Sequence, residues 1–330
     1  MKAYLLRTYG PPENLLLSDV PTPTPAAGEV LVRVRATSIN PYDWHHMRGE
    51  PLAARFTPGG FGKRRPLQPI IGCDLAGVVA ATGPGVTLFQ PGDEVYALVK
   101  HGAYAEFACV REDLLAAKPR RLSFEEAAAY PMAAVTALQA VRDDARLTGG
   151  RRLLVNGASS GIGTFAVQLA RAAGAEVTGV CGGRNADLVR GLGAATVIDY
   201  RTEDFTKVAR DFDALLDIAG SPRVTAARRT LRPQGTYVVI GGKAGRWVRP
   251  MDHMIGATLI GRFGTRRVVI TDTHIGPSSA RNLTELAGLT DSGEVTPVID
   301  RAYAFAELPA AMRYVEAGHA SGKVVVTVAA

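Results

Sequence analysis

Between residues 151 and 240, strand-like runs alternate with helix-like runs, and this alternation limits the possible folds more than any other feature of the chain. The strand-like runs are RRLLVNG, EVTGVC, ATVIDY, FDALLDIAG and GTYVVIGG, and between them lie the helix-like runs GTFAVQLARAAG, NADLVRGLG and SPRVTAARRTL. Strands that alternate with helices form βαβ units, in which right-handed crossovers place the strands parallel in one sheet. We therefore predict a doubly wound α/β domain.

The first strand of this series leads into a glycine-rich loop that is followed by a helix. The loop reads Gly157-Ala158-Ser159-Ser160-Gly161-Ile162-Gly163. Glycines permit a tight turn, and the free N–H groups at a helix start attract phosphate. Because the loop lies between a strand and a helix inside a βαβ series, we predict that these seven residues bind a dinucleotide. The alternative is a purely structural turn.

The end of the second strand indicates which dinucleotide binds. A site for NAD usually places an acidic residue there, to hold the ribose hydroxyls. This chain instead reads Cys181-Gly182-Gly183-Arg184-Asn185. Arginine pairs with a 2′-phosphate through charge-assisted hydrogen bonds, so we predict NADP(H), with Gly182, Arg184 and Asn185 as contacts. Alternatively, Arg184 is a solvated residue at a helix start.

The segments outside this series have the pattern of short strands. GEVLVRVRATSIN, IIGCDLAGVVAATGPGV, FQPGDEVYALV and GAYAEFACV are separated by turn residues, which is typical of a compact barrel or sandwich. Ser123 and Glu126 have the spacing of a capping box that begins a helix. The terminal run GKVVVTVA is a strand that can rejoin the first domain. We predict a β domain over 1–123 and 271–330, and a nucleotide-binding domain over 124–270.

The composition of the chain argues against nucleic acid and a membrane as partners. The net charge is +7, but the basic residues form short clusters with few aromatic residues among them, so we expect no nucleic acid. No run approaches the roughly 20 apolar residues that cross a bilayer, and the N-terminus has the pattern of a strand rather than a signal peptide. Cys73, Cys109 and Cys181 form no CxxC pair, which predicts a reducing, cytoplasmic location.

Taken in order, these segments resemble the zinc-independent quinone oxidoreductase-like branch of the medium-chain dehydrogenase/reductase superfamily. The resemblance is carried by GEVLVRVRATSINPYDWHHMRG, PIIGCDLAGVVAATGPGVTLFQPGDEVYAL, GAYAEFACV, AAAYPMAAVTALQAV, the glycine loop and SGKVVVTV. It implies an α/β chain with two domains. One is a GroES-like β-barrel catalytic domain built from both ends of the chain, and the other is a Rossmann NADP(H)-binding domain between them.

The sequence differs from the zinc alcohol dehydrogenases of the same superfamily at the positions of their metal ligands, and these differences indicate which reaction to expect. Those enzymes carry a ligating Cys where this chain has Asn40, a His-Glu pair where it has Cys73-Asp74, and a Cys near Met132. We therefore expect no metal. A simple alcohol would then lack the usual Lewis acid, whereas a conjugated carbonyl already has a polarised carbon that accepts hydride.

The resemblance also implies roles for individual residues. Asn40 and Tyr42 would face the nicotinamide, with the Tyr42 hydroxyl bound to a substrate carbonyl; the alternative for Tyr42 is packing at a loop. The further residues expected to contact the cofactor are Thr136, Tyr200, Ala219, Gly220, Ile240, Gly241, Gly242, Phe263 and Lys323. For Lys323 the expected partner is a cofactor phosphate, and a plain surface lysine is the alternative.

We therefore expect an NADPH-dependent, zinc-free enzyme that reduces quinones, enones or related conjugated carbonyls. The alternatives are an alcohol or aldehyde reductase for unconjugated carbonyls, and an NADPH-binding regulatory protein with little activity. The loop over residues 50–69 would set substrate specificity, with Lys63-Arg64-Arg65 at the rim of the cleft or simply solvated. The run MDHMIGATLIGRFG is predicted to be a strand that pairs with a second subunit, which gives a homodimer.

Overall fold

The computed structural model describes residues 1–57, 60–220, 223–242, 245–247, 251–261, 265–271, 275–318 and 320–328. They form two compact units. The first unit comprises Met1–Val135, His274–Gly293 and Pro297–Ala330, and the second comprises Thr136–Thr273 and Glu294–Thr296. None of the described helices is both long enough and apolar enough to span a bilayer.

The strands in chain order are β1 (Lys2–Leu6), β2 (Leu15–Asp19), β3 (Glu29–Ile39), β4 (Asp74–Thr82), β5 (Glu94–Leu98), β6 (Phe107–Arg111), β7 (Leu115–Ala117), β8 (Arg152–Asn156), β9 (Glu176–Cys181), β10 (Thr196–Asp199), β11 (Phe212–Asp217), β12 (Leu231–Val239), β13 (Arg267–Ile270), β14 (Ile299–Ala304) and β15 (Lys323–Thr327). The α-helices are α1 (Pro41–Arg48), α2 (Phe124–Ala128), α3 (Pro131–Leu138), α4 (Gly161–Ala172), α5 (Ala186–Gly191), α6 (Phe205–Val208), α7 (Val224–Ala227), α8 (Met251–Gly261), α9 (Pro277–Asp291) and α10 (Leu308–Glu316).

The first unit is built on a seven-stranded sheet in the order β14-β15-β3-β4-β5-β7, with β6 also paired to β3. β15 pairs antiparallel with β3, with Val324 opposite Ile39, so the end of the chain completes a sheet that begins near its start. Alternating apolar residues of these strands form a buried core that includes Val32, Leu75 and Val326. This is the β domain expected from both ends of the chain.

The second unit is built on a six-stranded sheet in the order β10-β9-β8-β11-β12-β13, and every pair in it is parallel. Helices connect successive strands, as parallel pairing requires. The order reverses beside β8, and the same strand order is known from Rossmann domains, which bind dinucleotides at that reversal. The predicted doubly wound α/β domain is therefore confirmed.

The run predicted as a dimer-forming strand is instead a helix, α8. It connects β12 to β13, which lie side by side and parallel. A parallel pair cannot be joined by a tight turn, so the intervening segment must cross back along the sheet, and here it does so as a helix. Residues 262–264, including Phe263, lie outside the described residues.

The helical segment after Ser123 begins as predicted and is interrupted further on. The backbone N–H of Ser123 donates to Oε2 of Glu126 at 2.8 Å, and Oγ of Ser123 accepts from the N–H of Glu126 at 3.2 Å, so the capping box is present. α2 ends before Pro131 and α3 begins at it, because proline has no N–H to continue a helix. α2 packs on β3 and β4, and residues 124–135 fall in the first unit rather than with the nucleotide-binding domain.

Candidate active site

The glycine loop connects β8 to α4 at the carboxyl edge of the parallel sheet. Oγ of Ser160, the N-cap of α4, accepts from the N–H of Gly163 at 3.1 Å. Gly157 has φ of +95°, which side chains other than glycine rarely adopt. A Cβ on Gly163 would lie 2.1 Å from the carbonyl oxygen of Gly157. The loop therefore requires glycine at both positions, and it leaves the start of α4 open to an anion.

The segment after β9 lies beside this loop. Gly183–Asn185 forms a short turn, and Nδ2 of Asn185 donates to Oγ of Ser159 at 3.1 Å. The structure thus brings together two of the segments predicted to contact the cofactor. A Cβ on Gly183 would lie 2.5 Å from Oδ2 of Asp199, at the end of β10. The sequence analysis assigned no role to Asp199, because an acidic residue is expected at the end of the second strand of such a domain, and Asp199 lies at the end of the third.

A cavity of about 870 Å³ lies at the same edge of the second unit. Tyr200, Ala219 and Gly220, all predicted contacts, line it together with Asn156. Arg201 and Arg223 also line it, and basic groups around a cavity favour phosphorylated ligands. The predicted contacts that follow β10 and β11 therefore border one basic cavity, beside Asn156 at the end of β8.

Three more predicted contacts in the second unit, Ile240, Gly241 and Gly242, lie at the end of β12. The N–H groups of Ile240 and Gly241 donate to the carbonyl oxygen of Asp217 at 3.0 Å and 3.2 Å. A Cβ on Gly241 would lie 2.4 Å from the carbonyl oxygen of Ile218, so glycine is required for this close approach. Gly242 follows directly in the chain. Thr136 is buried on α3.

In the first unit, the carboxylate of Asp74 is the centre of a buried polar cluster. Its Oδ2 accepts from Oγ of Ser38 at 2.6 Å, from Nδ2 of Asn40 at 2.9 Å and from Nζ of Lys323 at 3.2 Å. Its Oδ1 accepts from the N–H of Met132 at 2.9 Å. Because both oxygens are bonded and the charge is paired, the cluster satisfies the requirements for burying a carboxylate.

Lys323 is buried rather than at the surface. It is 3% exposed, and its Nζ donates to Oδ1 of Asn40 at 2.5 Å as well as to Asp74. The alternative of a plain surface lysine is therefore wrong, and contact with a cofactor phosphate stays a prediction. A lysine in an apolar strand is usually exposed, and only the fold brings these two acceptors beside it.

Asn40 is also more enclosed than expected. It is 3% exposed, and both atoms of its side-chain amide are bonded, one to Lys323 and the other to Asp74. It is the N-cap of α1, where its N–H donates to Oδ2 of Asp43 at 2.8 Å. These contacts assign Asn40 a positioning role, because it fixes the start of the helix that carries Tyr42.

Tyr42 lies on the first turn of α1 and is partly exposed. Its ring makes edge contacts with His46 and Phe61. Burial raises the pKa of Tyr42, and the neighbouring Cys73 and Asp43 raise it further. The hydroxyl therefore keeps its proton at neutral pH, so it can donate a hydrogen bond to a carbonyl oxygen.

Burial shifts the pKa values of the groups packed near Tyr42 toward their neutral forms. It raises the pKa of Asp43 to about 7, so this carboxyl is only partly protonated at neutral pH. Burial lowers the pKa of His46 to about 4, and it raises the pKa of the Cys73 thiol well above its usual range. His46 and Cys73 are therefore neutral at pH 7, and a hydrogen bond made in such buried surroundings is stronger than one made in water.

Comparison with known proteins identifies the family. Residues 26–120 match the alcohol dehydrogenase GroES-like domain, and residues 192–326 match a family described as zinc-binding dehydrogenase. The mouse protein named NAD(P)H oxidoreductase RTN4IP1, mitochondrial, is 34% identical over 99% of this chain and 89% of its own length. The chain belongs to the quinone oxidoreductase branch of the medium-chain dehydrogenase/reductase superfamily.

Two further proteins are similar to this chain. The tomato (Solanum lycopersicum) protein named 2-methylene-furan-3-one reductase is 32% identical over 99% of this chain and 79% of its own length. The solved structure of the quinone oxidoreductase from Coxiella burnetii has a TM-score of 0.84 at 28% identity, and the match covers 100% of this chain and 99% of that one. The GroES-like and Rossmann architecture predicted from the sequence is therefore confirmed.

The description of one matching family mentions zinc, which binds where suitable ligands converge. Asn40, Asp74 and Met132 do come together, but the Asp74 oxygens are already bonded and face an ammonium group. A cysteine ligates zinc as a thiolate, and burial raises the pKa of the Cys73 thiol well above its usual range. Among the described residues, no group of three or more His, Cys, Asp or Glu side chains is placed to hold a metal. The residues do not fit zinc.

Proposed function

We propose that this protein is an NADPH-dependent oxidoreductase that reduces quinones, enones or related conjugated carbonyls without a metal. The observation that carries the proposal is the hydrogen bond between Asn185 and Ser159, which joins the glycine loop to the turn containing Arg184. The turn that contains Arg184 therefore lies beside the start of α4, which supports a site where α4 binds a pyrophosphate and Arg184 binds a 2′-phosphate. The names of the mouse and tomato relatives are consistent with it.

When bound, NADPH supplies the hydride for the reaction. The glycine loop and the ends of β11 and β12 bind and orient the dinucleotide, and holding two reactants in position supplies much of the rate enhancement. Tyr42 donates a hydrogen bond to the substrate carbonyl, which stabilises the negative charge that develops on its oxygen. One hydride and one proton are added, so an enone becomes a saturated carbonyl and a quinone becomes a hydroquinone.

Two measurements test this proposal. Fluorescence titration should show that the purified protein binds NADPH more tightly than NADH. NADPH consumption should then be measured with quinones, enones and simple aldehydes. We expect turnover with the conjugated substrates and almost none with the aldehydes. Turnover of simple aldehydes alone would favour an alcohol or aldehyde reductase, and binding without any turnover would favour a regulatory protein.

The metal-free part of the proposal needs a measurement of its own. Elemental analysis should find zinc far below one ion per chain, and dialysis against a chelator should leave turnover unchanged. Stoichiometric zinc that is lost together with activity would contradict the proposal.

We also infer that the protein is a homodimer located in the cytoplasm. Within the described residues, β13 has a neighbouring strand on one side only, and an unpaired edge strand favours pairing with a second chain. The free cysteines favour a reducing compartment. Light scattering should give twice the chain mass, and fractionation of the source cells should recover the protein in the cytoplasm.

A further inference from the structure

The side chain of Asp217 lies among the predicted cofactor contacts, although the sequence analysis assigned it no role. It is 0% exposed, at the carboxyl end of β11. Its Oδ1 accepts from Nδ2 of Asn156 at 2.7 Å and from the N–H of Gly220 at 3.1 Å. Its Oδ2 accepts from Oη of Tyr237 at 2.5 Å. One carboxylate therefore joins the end of β8, the turn after β11 and β12.

Backbone contacts of the same residues continue this connection into the glycine loop. The N–H groups of Ile218 and Ala219 donate to the carbonyl oxygen of Asn156 at 3.0 Å and 3.2 Å. A Cβ on Gly157 would lie 3.2 Å from the N atom of Ala219, so the two turns are in close contact. A shift at Asp217 would therefore move Gly157 and Gly220, where the dinucleotide is expected to bind.

We propose that Asp217 is a positioning residue for the dinucleotide: its carboxylate holds the ends of β8, β11 and β12 in the arrangement that binds NADPH. Open parallel sheets bind ligands at this edge, and small shifts of a positioning group have large effects on binding. The inference rests on the proposed NADPH function and adds to it a residue that need not touch the cofactor.

The shortest contacts of the Asp217 carboxylate are hydrogen bonds, and Nε2 of His253 lies further away, 3.6 Å from Oδ2. We expect these hydrogen bonds to matter more for the role of Asp217 than its charge. An asparagine at this position can still accept from Asn156 and Gly220 through its oxygen. Its NH₂ group can donate to Oη of Tyr237, which can in turn donate to Nε2 of His253, 3.3 Å away. Asp217→Asn should therefore preserve the arrangement, whereas Asp217→Ala removes every one of these bonds.

The same strand provides a matched control. Asp213 is also buried on β11, but it lies at the opposite end, where Oδ1 accepts from Nη1 of Arg151 at 2.7 Å and Oδ2 accepts from the N–H of Arg152 at 2.8 Å. Asp213→Ala therefore breaks a comparable set of bonds on the same element, away from the edge where the cofactor is expected.

The experiment measures the melting temperature, the Kd for NADPH, and kcat and KM with an accepted quinone, in full-length protein. We expect both alanine variants to melt at lower temperature. Asp217→Ala should raise the Kd and KM for NADPH about tenfold or more, the scale of one or two lost hydrogen bonds. Asp217→Asn should have a Kd within about threefold of the wild-type value, and Asp213→Ala should have one within about twofold of it. Both changes correspond to less than about 1 kcal/mol in binding free energy.

Equal Kd changes in the two alanine variants, or none in Asp217→Ala, would overturn the inference. If Asp217→Ala does not fold, Tyr237→Phe removes the hydrogen bond to Oδ2, together with the contact between Oη and Nε2 of His253, and should still raise the Kd more than Asp213→Ala does. An unchanged Kd would also overturn the inference. Wild-type protein that fails to bind NADPH would refute the proposed function itself. Wild-type binding with unaffected variants would refute only the role of Asp217.

Discussion

The ammonium nitrogen of Lys323 donates to the side-chain oxygen of Asn40 at 2.5 Å, although the two residues are 283 positions apart in the chain. Asn40 begins the helix that carries Tyr42, so the last strand of the first unit fixes the position of the proposed substrate-binding hydroxyl. The same ammonium group neutralises Asp74. Loss of Lys323 would leave that carboxylate buried without a cation.

Lys323→Met should therefore destabilise the protein strongly. Removing one partner of a buried ion pair costs about 3–5 kcal/mol, because the other charge stays buried. Urea unfolding of wild type and variant measures the difference. Lys2→Met is the control, since Lys2 pairs with Asp19 on the exposed surface and its loss should leave stability almost unchanged. Equal losses in the two variants would contradict the buried pair.

Asp43 should make the protein less stable as the pH rises from about 4 to about 7. An unfolded Asp ionises near pH 4, whereas burial raises the pKa of Asp43 to about 7 in the folded protein. Between these values the folded state keeps a proton that the unfolded state has lost, so the stabilisation from Asp43 is present below pH 4 and is lost as the pH rises through 7.

Asp43→Asn removes this titration and still provides an oxygen for the N–H of Asn40. The stability of the wild type relative to Asp43→Asn should fall between pH 4.5 and pH 7.5 by at least about 1.4 kcal/mol, the free energy of one pKa unit. Urea unfolding at both pH values measures it. The pKa of His46 is lowered to about 4, so His46 acts in the opposite direction, but it is present in both proteins and cancels in the difference. A constant difference would contradict the raised pKa.

Gly163→Ala should weaken both the fold and the binding of NADPH. The new methyl group would lie 2.1 Å from the carbonyl oxygen of Gly157, so the loop or α4 must shift. We expect a loss of about 1–3 kcal/mol in stability, the usual range for overpacking, and at least a tenfold rise in the Kd for NADPH.

Gly288→Ala is the control for that variant. Gly288 lies inside α9, and a Cβ there would meet no heavy atom within 4 Å. Alanine favours helix more than glycine by up to about 1 kcal/mol, so this variant should be as stable as the wild type or more so, with unchanged NADPH binding. If Gly163→Ala behaved like Gly288→Ala, the loop would not be as tightly packed as described.

Arg184→Ala should lower the affinity for NADPH and leave that for NADH almost unchanged. A charge-assisted hydrogen bond to a 2′-phosphate contributes about 1.5–3 kcal/mol, so we expect a loss of tenfold or more for NADPH alone. Fluorescence titration with both cofactors measures this. Arg190, exposed on α5 and paired with Asp187, is the matched control. Equal weakening of both cofactors would remove the assignment of Arg184 to the 2′-phosphate, and unchanged affinity for both would support a solvated Arg184.

Local patterns in the sequence predicted the parts of the fold that depend on neighbouring residues. The strand-loop-helix pattern around Gly157 and the capping box at Ser123 can be recognised from a few adjacent positions. The segment containing His253 was assigned to a strand, because its apolar residues suit either structure and only the parallel pairing of β12 with β13 requires a crossover there.

The buried polar clusters could not be predicted in the same way. Asp74 and Lys323 are distant in sequence, and each, taken alone, is a charged residue of a type usually found on the surface. Asp217 likewise acquires its partners only when three parallel strands end side by side. Carboxylates in strands carry no local signal of burial, so the pattern of a single sequence gives no means of pairing them.

The position of β15 in the sheet has a consequence for how the protein is made. The second unit is almost continuous in the chain, between residues 136 and 273, whereas the first needs a strand that contains residue 323. Asp74 and Lys323 are 249 positions apart. During synthesis, Asp74 therefore leaves the ribosome about 250 residues before the lysine that pairs with it. The nucleotide-binding unit can therefore close while the catalytic unit still lacks a strand. In this chain the domain that begins first is completed last.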